Sequence, residues 1–349
     1  MRAALLAALL LASPAQAAGE TVAPGALAVS RDPLDLGRLA FRTFSDEDGL
    51  PQNVIEALAF DEKGYLWVAT QDGAASYDGR AWTALDMPRR NVSNWIFDLV
   101  AARDGTLWFG TYAGGLHHYR NGLFDSFGMP EGLPSNRVLC LAEGPGEPGR
   151  TVLYAGTDAG LAAVVKGKVV RFPEVGARAV YALRVEADGT VFAGGKDGLF
   201  RRDGDGAFRN IAAGTAIEGR VPRTLARSSL PGGPLYVGTE TGLYRVTAAS
   251  SFEKVDAPPA LASALVSDLV SDVDEAGAET LWVGTATGLF RRTRGGWTSF
   301  GVHSGLPNPQ IRSLAVVRSK GGGTTLWAGT FSGLARLRFG GFTGFGTEH

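Results

Sequence analysis

The stretch LWVGTATGLF, Leu281 to Phe290, sets Gly284, Thr285 and Gly288 among apolar side chains. Alone it reads as a glycine loop that cradles a ligand. It has, however, six relatives in the chain: LWVATQDGAASY from Leu66, LWFGTYAGGLHHY from Leu107, LYAGTDAGLAAV from Leu153, VFAGGKDGLFRR from Val191, LYVGTETGLYRV from Leu235 and LWAGTFSGLARL from Leu326. The anchoring aromatics Trp67, Trp108, Tyr154, Phe192, Tyr236, Trp282 and Trp327 stand 41, 46, 38, 44, 46 and 45 residues apart. Seven units of that length match the blade period of a β-propeller, in which each unit is one four-stranded sheet.

The fullest unit shows the parts. NVIEALAFD, Asn53 to Asp61, reads as an inner strand, the EKG after it as a tight turn, and YLWVAT as the second strand. Thr70-Gln71-Asp72-Gly73 turns the chain, AASYD is a third strand and RAWTAL an outer one. Short strands punctuated by Gly and Asp favour an all-β repeat, and no sustained 3.6-residue apolar period places helices between them. The aromatic of the second strand is expected to pack between neighbouring blades, each contributing about 1.5–3 kcal/mol on burial. A second element links the units: FRTFSDEDGLPQN (Phe41–Asn53), FDSFGMPEGLPSN (Phe124–Asn136) and WTSFGVHSGLPNP (Trp297–Pro309). The copy at Phe41 precedes the first unit. It is expected to supply the outer strand of the last blade, closing the ring without a long free edge. The fold expected is a seven-bladed β-propeller over residues 39–349, after a signal peptide (1–17) and an extension (18–38).

These elements resemble the two-component regulator propeller repeats. The resemblance rests on D-x-x-G-x-L-W-V-A-T-x-x-G (Asp61 to Gly73), L-W-x-G-T-x-x-G (Leu281 to Gly288) and G-L-P-x-N at Gly49 and Gly132, and it covers about residues 41–345. Units four and five depart most, VFAGGKDG lacking the threonine. The resemblance implies the periplasmic sensory part of a regulator such as a hybrid histidine kinase or diguanylate cyclase, several of which sense carbohydrate fragments. No kinase or cyclase segment follows the repeats in this sequence, so signalling would pass through a partner or a missing C-terminal part. FTGFGTEH, Phe342 to His349, repeats the outer strand and loop and stops before a Gly-Leu-Pro. We read it as the end of a free-standing propeller rather than a cut.

Composition bounds the rest. Of 349 residues, 49 are glycine, spread along the chain, which points to many tight turns rather than a linker. A net charge of −1 gives no basis for nucleic-acid or membrane-surface binding. Arg2, the apolar run Ala3 to Ala12 and Ala15-Gln16-Ala17 have the order of a cleaved signal peptide, implying a periplasmic or secreted protein. No later segment is apolar enough for a membrane span. Cys140, the single cysteine, lies in an apolar strand pattern and is read as a buried structural thiol.

Strand order gives the candidate site. Loops from outer to next inner strand, and from second to third strand, share one face of a propeller and surround the mouth of its channel. The first set offers Gln52, Asn53, Asn94, Trp95, Asn136, Arg137, Asn308 and Gln310. The second offers Gln71, Asp72, Tyr112, Asp158, Lys196, Asp197, Glu240 and Phe331. Singly, such residues serve turns, because Asn and Asp bond their own backbone. As a ring they present aromatics for sugar faces and amides and carboxylates for hydroxyls.

Other features point to structure. His117-His118 lie on one strand and point to opposite faces, so they cannot grip a metal together. Asp104-Gly105 and Asp188-Gly189 are expected hairpin turns of type I′ preference. DVDEAGAE, Asp272 to Glu279, lacks the spacing of a calcium loop. GGKDG lacks the spacing of a phosphate loop. RRDGDG and RRTRGG read as solvated hairpin edges. NVS at Asn91 fits a glycosylation pattern. No cofactor, metal or catalytic residue is expected. The sequence is thus read as an exported, non-enzymatic ligand-binding module. The ligand would be a small molecule or oligosaccharide, and the partner an envelope signalling protein. The alternatives are an interaction scaffold and a propeller lyase or hydrolase using Asp72, Asp158, Asp197 or Glu240.

Overall fold

The computed structural model describes residues 41–88, 94–145, 152–204, 206–248, 251–274, 276–318 and 323–339. The leader, the extension, Asn91 and the C-terminal FTGFGTEH lie outside the described residues. Within them the chain forms seven four-stranded antiparallel sheets, each running from an inner to an outer strand. Blade one comprises Ile55–Phe60, Leu66–Thr70, Gly73–Tyr77 and Trp82–Leu85. Blade seven is composite: Ile311–Arg318, Thr324–Thr330 and Gly333–Phe339 are completed by the N-terminal strand Arg42–Phe44, paired with Thr43 opposite Ala335. The ring is therefore closed by the segment before the first unit.

The core lies between blades. Seven apolar clusters each join two neighbours, and in every one the aromatic of the motif enters the next blade's cluster. Trp108 packs with Leu141, Leu153 and Ala155 of blade three, Trp282 with Ile311, Leu326 and Ala328 of blade seven, and Trp327 with Ile55, Leu66 and Val68 of blade one. The glycine after it has a matching task. A Cβ on Gly284 would stand 2.6 Å from Cγ2 of Ile311, the first inner-strand residue of the next blade. Gly110, Gly156, Gly194, Gly238 and Gly329 meet Val138, Val180, Pro222, Val266 and Ile55 in the same way. In blade one Ala69 takes this place.

The buried threonine closes the next turn. Thr285 donates its hydroxyl to the Gly288 carbonyl oxygen (2.8 Å) and accepts the Thr287 N–H (3.1 Å). Thr70, Thr157, Thr239 and Thr330 do the same in their own blades. In blade two the loop is one residue longer, and Thr111 bonds Gly115. Blade four cannot hold the threonine: a Cβ on Gly195 would fall 2.1 Å from the Ala179 carbonyl oxygen. Asp104-Gly105 and Asp188-Gly189 do turn hairpins, but only the glycines have positive φ (78° and 85°). With Gly105 N–H bonded to Ala102 and Ala102 N–H to Thr106, each is a type I turn with a glycine bulge rather than type I′.

The feature that positions a site is a bulge. Every inner strand slips register against its neighbour at the same point, between Ile55 and Ala57, Ile96 and Asp98, Val138 and Cys140, Val180 and Ala182, Pro222 and Thr224, Val266 and Asp268, and Ile311 and Ser313. A bulge re-aims the side chain it leaves unpaired. Here the seven skipped residues are Glu56, Phe97, Leu139, Tyr181, Arg223, Ser267 and Arg312, and all line the channel.

Candidate functional site

The two loop sets meet on one face. Backbone N–H groups of Tyr112, Asp158, Lys196, Glu240 and Phe331 bond the carbonyls of Trp95, Arg137, Ala179, Val221 and Gln310, tying each second hairpin to its own blade's entry loop. Those of Gly73, Gly115, Gly242 and Gly333 bond Asn94, Asn136, Ala264 and Asn53 of the next blade's entry loop. These loops rim a cavity of about 470 Å³ floored by Glu56, Phe97, Leu139, Tyr181, Arg223, Ser267 and Arg312, with Arg137, Leu265, Ala286, Gln310 and Ile311 on its sides. A second cavity, of about 310 Å³, adjoins it through Arg137, Leu139 and Tyr181, and adds Asp158, Ala177, Arg178, Ala179 and Lys196.

The electrostatics are organised by paired charges. The Glu56 carboxylate, side chain only 2% exposed, is ion-paired with Arg312 and accepts from Trp95 Nε1 (3.0 Å) and Gln71 Nε2 (3.3 Å). Arg223 pairs with Glu240 and lies 3.9 Å over the Tyr181 ring. Trp95 stacks on Tyr112 at 5.2 Å and 10°, and Arg137 covers Tyr112 (4.8 Å) and Phe97 (5.3 Å). Arg178 pairs with Asp197 at 3.4 Å.

Of the residues expected from sequence, Arg137, Asp158, Lys196 and Gln310 line these two cavities, and Trp95, Gln71, Tyr112 and Glu240 touch the groups that do. Asn53 and Asn136 instead clamp their own loops, accepting the N–H of Asp46 and Met129 at 2.8 Å. Gln52 caps Val54, Asn94 bonds Asp72 (3.0 Å), and Asn308 bonds Ser332 (3.1 Å) at the rim. Phe331 is 46% exposed. The floor residues escaped sequence reading. Their signal was present, since the residue after the inner strand's first apolar position varies through Glu, Phe, Leu, Tyr, Arg, Ser and Arg. Strand alternation assigns that position to a blade face, and only the bulge turns it to the axis.

Deeper in the channel lie Asp98 and Asp268. Each carboxylate accepts an N–H of its own blade and one of the next: Asp98 those of Leu99 (2.8 Å) and Leu141 (2.7 Å), Asp268 those of Leu269 (2.8 Å) and Leu314 (2.6 Å). Burial pushes Asp98 up to about 7 against those bonds, with Asp268 adding to the rise, and pushes Asp268 up to about 6. Cys140, buried and free beside them, has its thiol raised by the same cause. His117 meets Ser126 (2.8 Å), and His118 stacks on Trp108 at 3.9 Å, on opposite faces of blade two. Burial depresses both, His117 to about 4. Among the described residues no three His, Cys, Asp or Glu side chains come together to hold a metal ion, and no helix is long and apolar enough to cross a membrane.

Fold and site together define a seven-bladed β-propeller whose channel mouth is lined by one bulge residue from each blade. Residues 49–72 and 92–113, in blades one and two, match the family model described as two component regulator propeller. No curated protein matches it. Among solved structures it is similar to the extracellular domain of a putative one component system from B. thetaiotaomicron (TM-score 0.69, 18% identity, covering 87% of this chain and 40% of that one). It is also similar to that of a putative hybrid two component system from the same organism (TM-score 0.66, 19% identity, 85% and 41%). Virginiamycin B lyase from Staphylococcus aureus has TM-score 0.66 at 14% identity, over 86% of this chain and 98% of the lyase. At these identities the likeness is one of fold. The chain spans about two fifths of the length of the two regulator domains.

Proposed function

We propose that this chain is an exported, sensor-type binding module that takes an oligosaccharide at the channel mouth. The reading places it in the periplasm or outside the cell, passing occupancy to a two-component or related system through an envelope partner or a further segment. The observation that carries it is the ring of bulge residues. Phe97 and Tyr181 bring aromatic rings, while Arg223, Ser267 and Arg312 bring hydrogen-bonding groups around one opening of about 470 Å³. That mixture suits a polyhydroxylated ring with apolar faces. The repeats support the sensory role, as do the regulator domains named above, whose descriptions place them outside the cell.

A scaffold is the second reading, favoured by the exposed rim side chains Tyr112, Leu265 and Phe331. An enzyme is the third, since one similar propeller is named a lyase. Binding without turnover fits the site better. Glu56 and Glu240 are neutralised by arginines, Asp72 and Asp197 are tied to Asn94 and Arg178, and no histidine lines either cavity among the described residues. Melting curves with a panel of neutral and acidic glycans test the proposal. A ligand of the mouth raises the melting temperature saturably. The rise should disappear in Phe97→Ala and Tyr181→Ala. A panel that stabilises neither the protein nor its variants, with an envelope protein co-purifying through Phe331, would favour the scaffold.

A further inference from the structure

The cavity between blades three and four has an unbalanced set of charges. Its lining holds the cations Arg137, Arg178 and Lys196 against a single acid, Asp158. Arg178 is already offset by Asp197. Arg137 and Lys196 are not: among the described residues neither makes an ion pair, and Arg137 Nε is buried without a hydrogen-bond partner. The Arg223 and Arg312 guanidiniums of the adjoining cavity both have carboxylate partners, so this imbalance is local.

The local geometry says how Arg137 is held. Its guanidinium lies over the Tyr112 and Phe97 rings, 4.8 and 5.3 Å from their centroids. Contact with two rings holds the group in place at the cavity wall, and a guanidinium is the side chain that suits a carboxylate fork. Its backbone is fixed too, since the Arg137 carbonyl accepts the Asp158 N–H at 3.2 Å. Lys196 enters from the facing hairpin of blade four, anchored by its N–H to Ala179 (2.9 Å). A buried Nε without an acceptor is costly unless something supplies one.

We propose that this cavity is an anion subsite and that the ligand is an acidic sugar, a pyranose bearing one carboxylate. The inference rests on the saccharide reading of the mouth and narrows it. Arg137 and Lys196 take the carboxylate. The Asp158 carboxylate, which makes no ion pair among the described residues, accepts sugar hydroxyls. Tyr181, on the wall shared with the larger cavity, lets the adjoining sugar unit continue across the mouth. Two unpaired cations against one acid leave a net positive site, which disfavours a zwitterion such as an amino acid. The acid opposite them disfavours a second negative charge on the ligand.

The test is calorimetric titration of the protein with galacturonate and glucuronate, as monosaccharides and as trimers, against the neutral galactose and glucose counterparts. Acidic probes are expected to bind at least tenfold more tightly than neutral ones, with affinity falling as salt is raised. Arg137→Gln and Lys196→Gln should each bring acidic and neutral probes to within about threefold of one another. Trimer-only binding assigns the carboxylate to a chain, and equal monosaccharide binding assigns it to a free sugar acid. Equal affinity for acidic and neutral probes overturns the anion subsite and leaves the saccharide reading intact. The subsite is also overturned by acidic selectivity that persists in both variants. Binding of no sugar, or preference for a dipeptide, overturns both.

Discussion

Replacing Thr285 by Val probes the turn that recurs around the ring. Thr285 is fully buried, its hydroxyl giving one hydrogen bond to Gly288 and receiving one from Thr287. Valine keeps nearly the same shape and deletes both bonds. Each net bond is worth about 1 kcal/mol, and a buried group left without its partner costs about 1–3 kcal/mol, so a loss of about 2 kcal/mol is expected. With an unfolding entropy of about 2.1 cal/mol/K per residue over about 300 residues, that lowers the melting temperature by about 3 °C. Thr285→Ser keeps the hydroxyl and loses a methyl worth about 0.8 kcal/mol, so it should fall by about 1 °C. Differential scanning calorimetry of the three proteins decides it. A Val variant as stable as the parent, or a Ser variant as weak as the Val one, would show that the hydroxyl does not hold this turn.

Two further outcomes follow from the same structure. Gly195→Ala should cost more than Gly284→Ala, because the first puts a Cβ 2.1 Å from the backbone oxygen of Ala179 and the second 2.6 Å from a side-chain methyl of Ile311. The methyl contact is expected to cost about 1–3 kcal/mol, and urea midpoints in the reverse order would refute the close-approach account. Asp98 carries a pH signature. Its folded value, near 7, lies above the usual carboxylate value, so its contribution is complete below about pH 4 and is lost as pH rises through 7, at up to about 1.4 kcal/mol per unit. Asp98→Asn should therefore show a smaller fall in urea midpoint between pH 5 and 8 than the parent, and parallel falls would count against a buried, protonating Asp98.

The period of the repeat, the strand count and the closing role of Arg42–Phe44 were legible because each blade repeats the same local chemistry. An aromatic, a small residue and a threonine recur at fixed offsets, and seven copies outvote any one irregular unit. Even the oddity of blade four was visible as a missing threonine, though its cause, the Ala179 carbonyl, lies in that blade's own entry loop and shows only once the chain is folded. The candidate site was legible as a face rather than as a floor. Strand order put Arg137, Asp158, Lys196 and Gln310 on the right side of the ring. It also drew in Asn53 and Asn136, whose amides close their own loops.

What the sequence by itself determined is the brick: LWVGTATGLF and its relatives specify a blade through contacts that are local or one repeat away. What only the tertiary structure decided is what the bricks enclose. The bulge rotates Glu56, Phe97, Tyr181, Arg223 and Arg312 from blade faces to the axis, and residues some 40 to 250 positions apart become neighbours there. Arg312 reaches Glu56 only because the ring has closed. Charge pairing across that opening, and the unpaired Arg137 beside it, are properties of the closed circle that no single repeat contains.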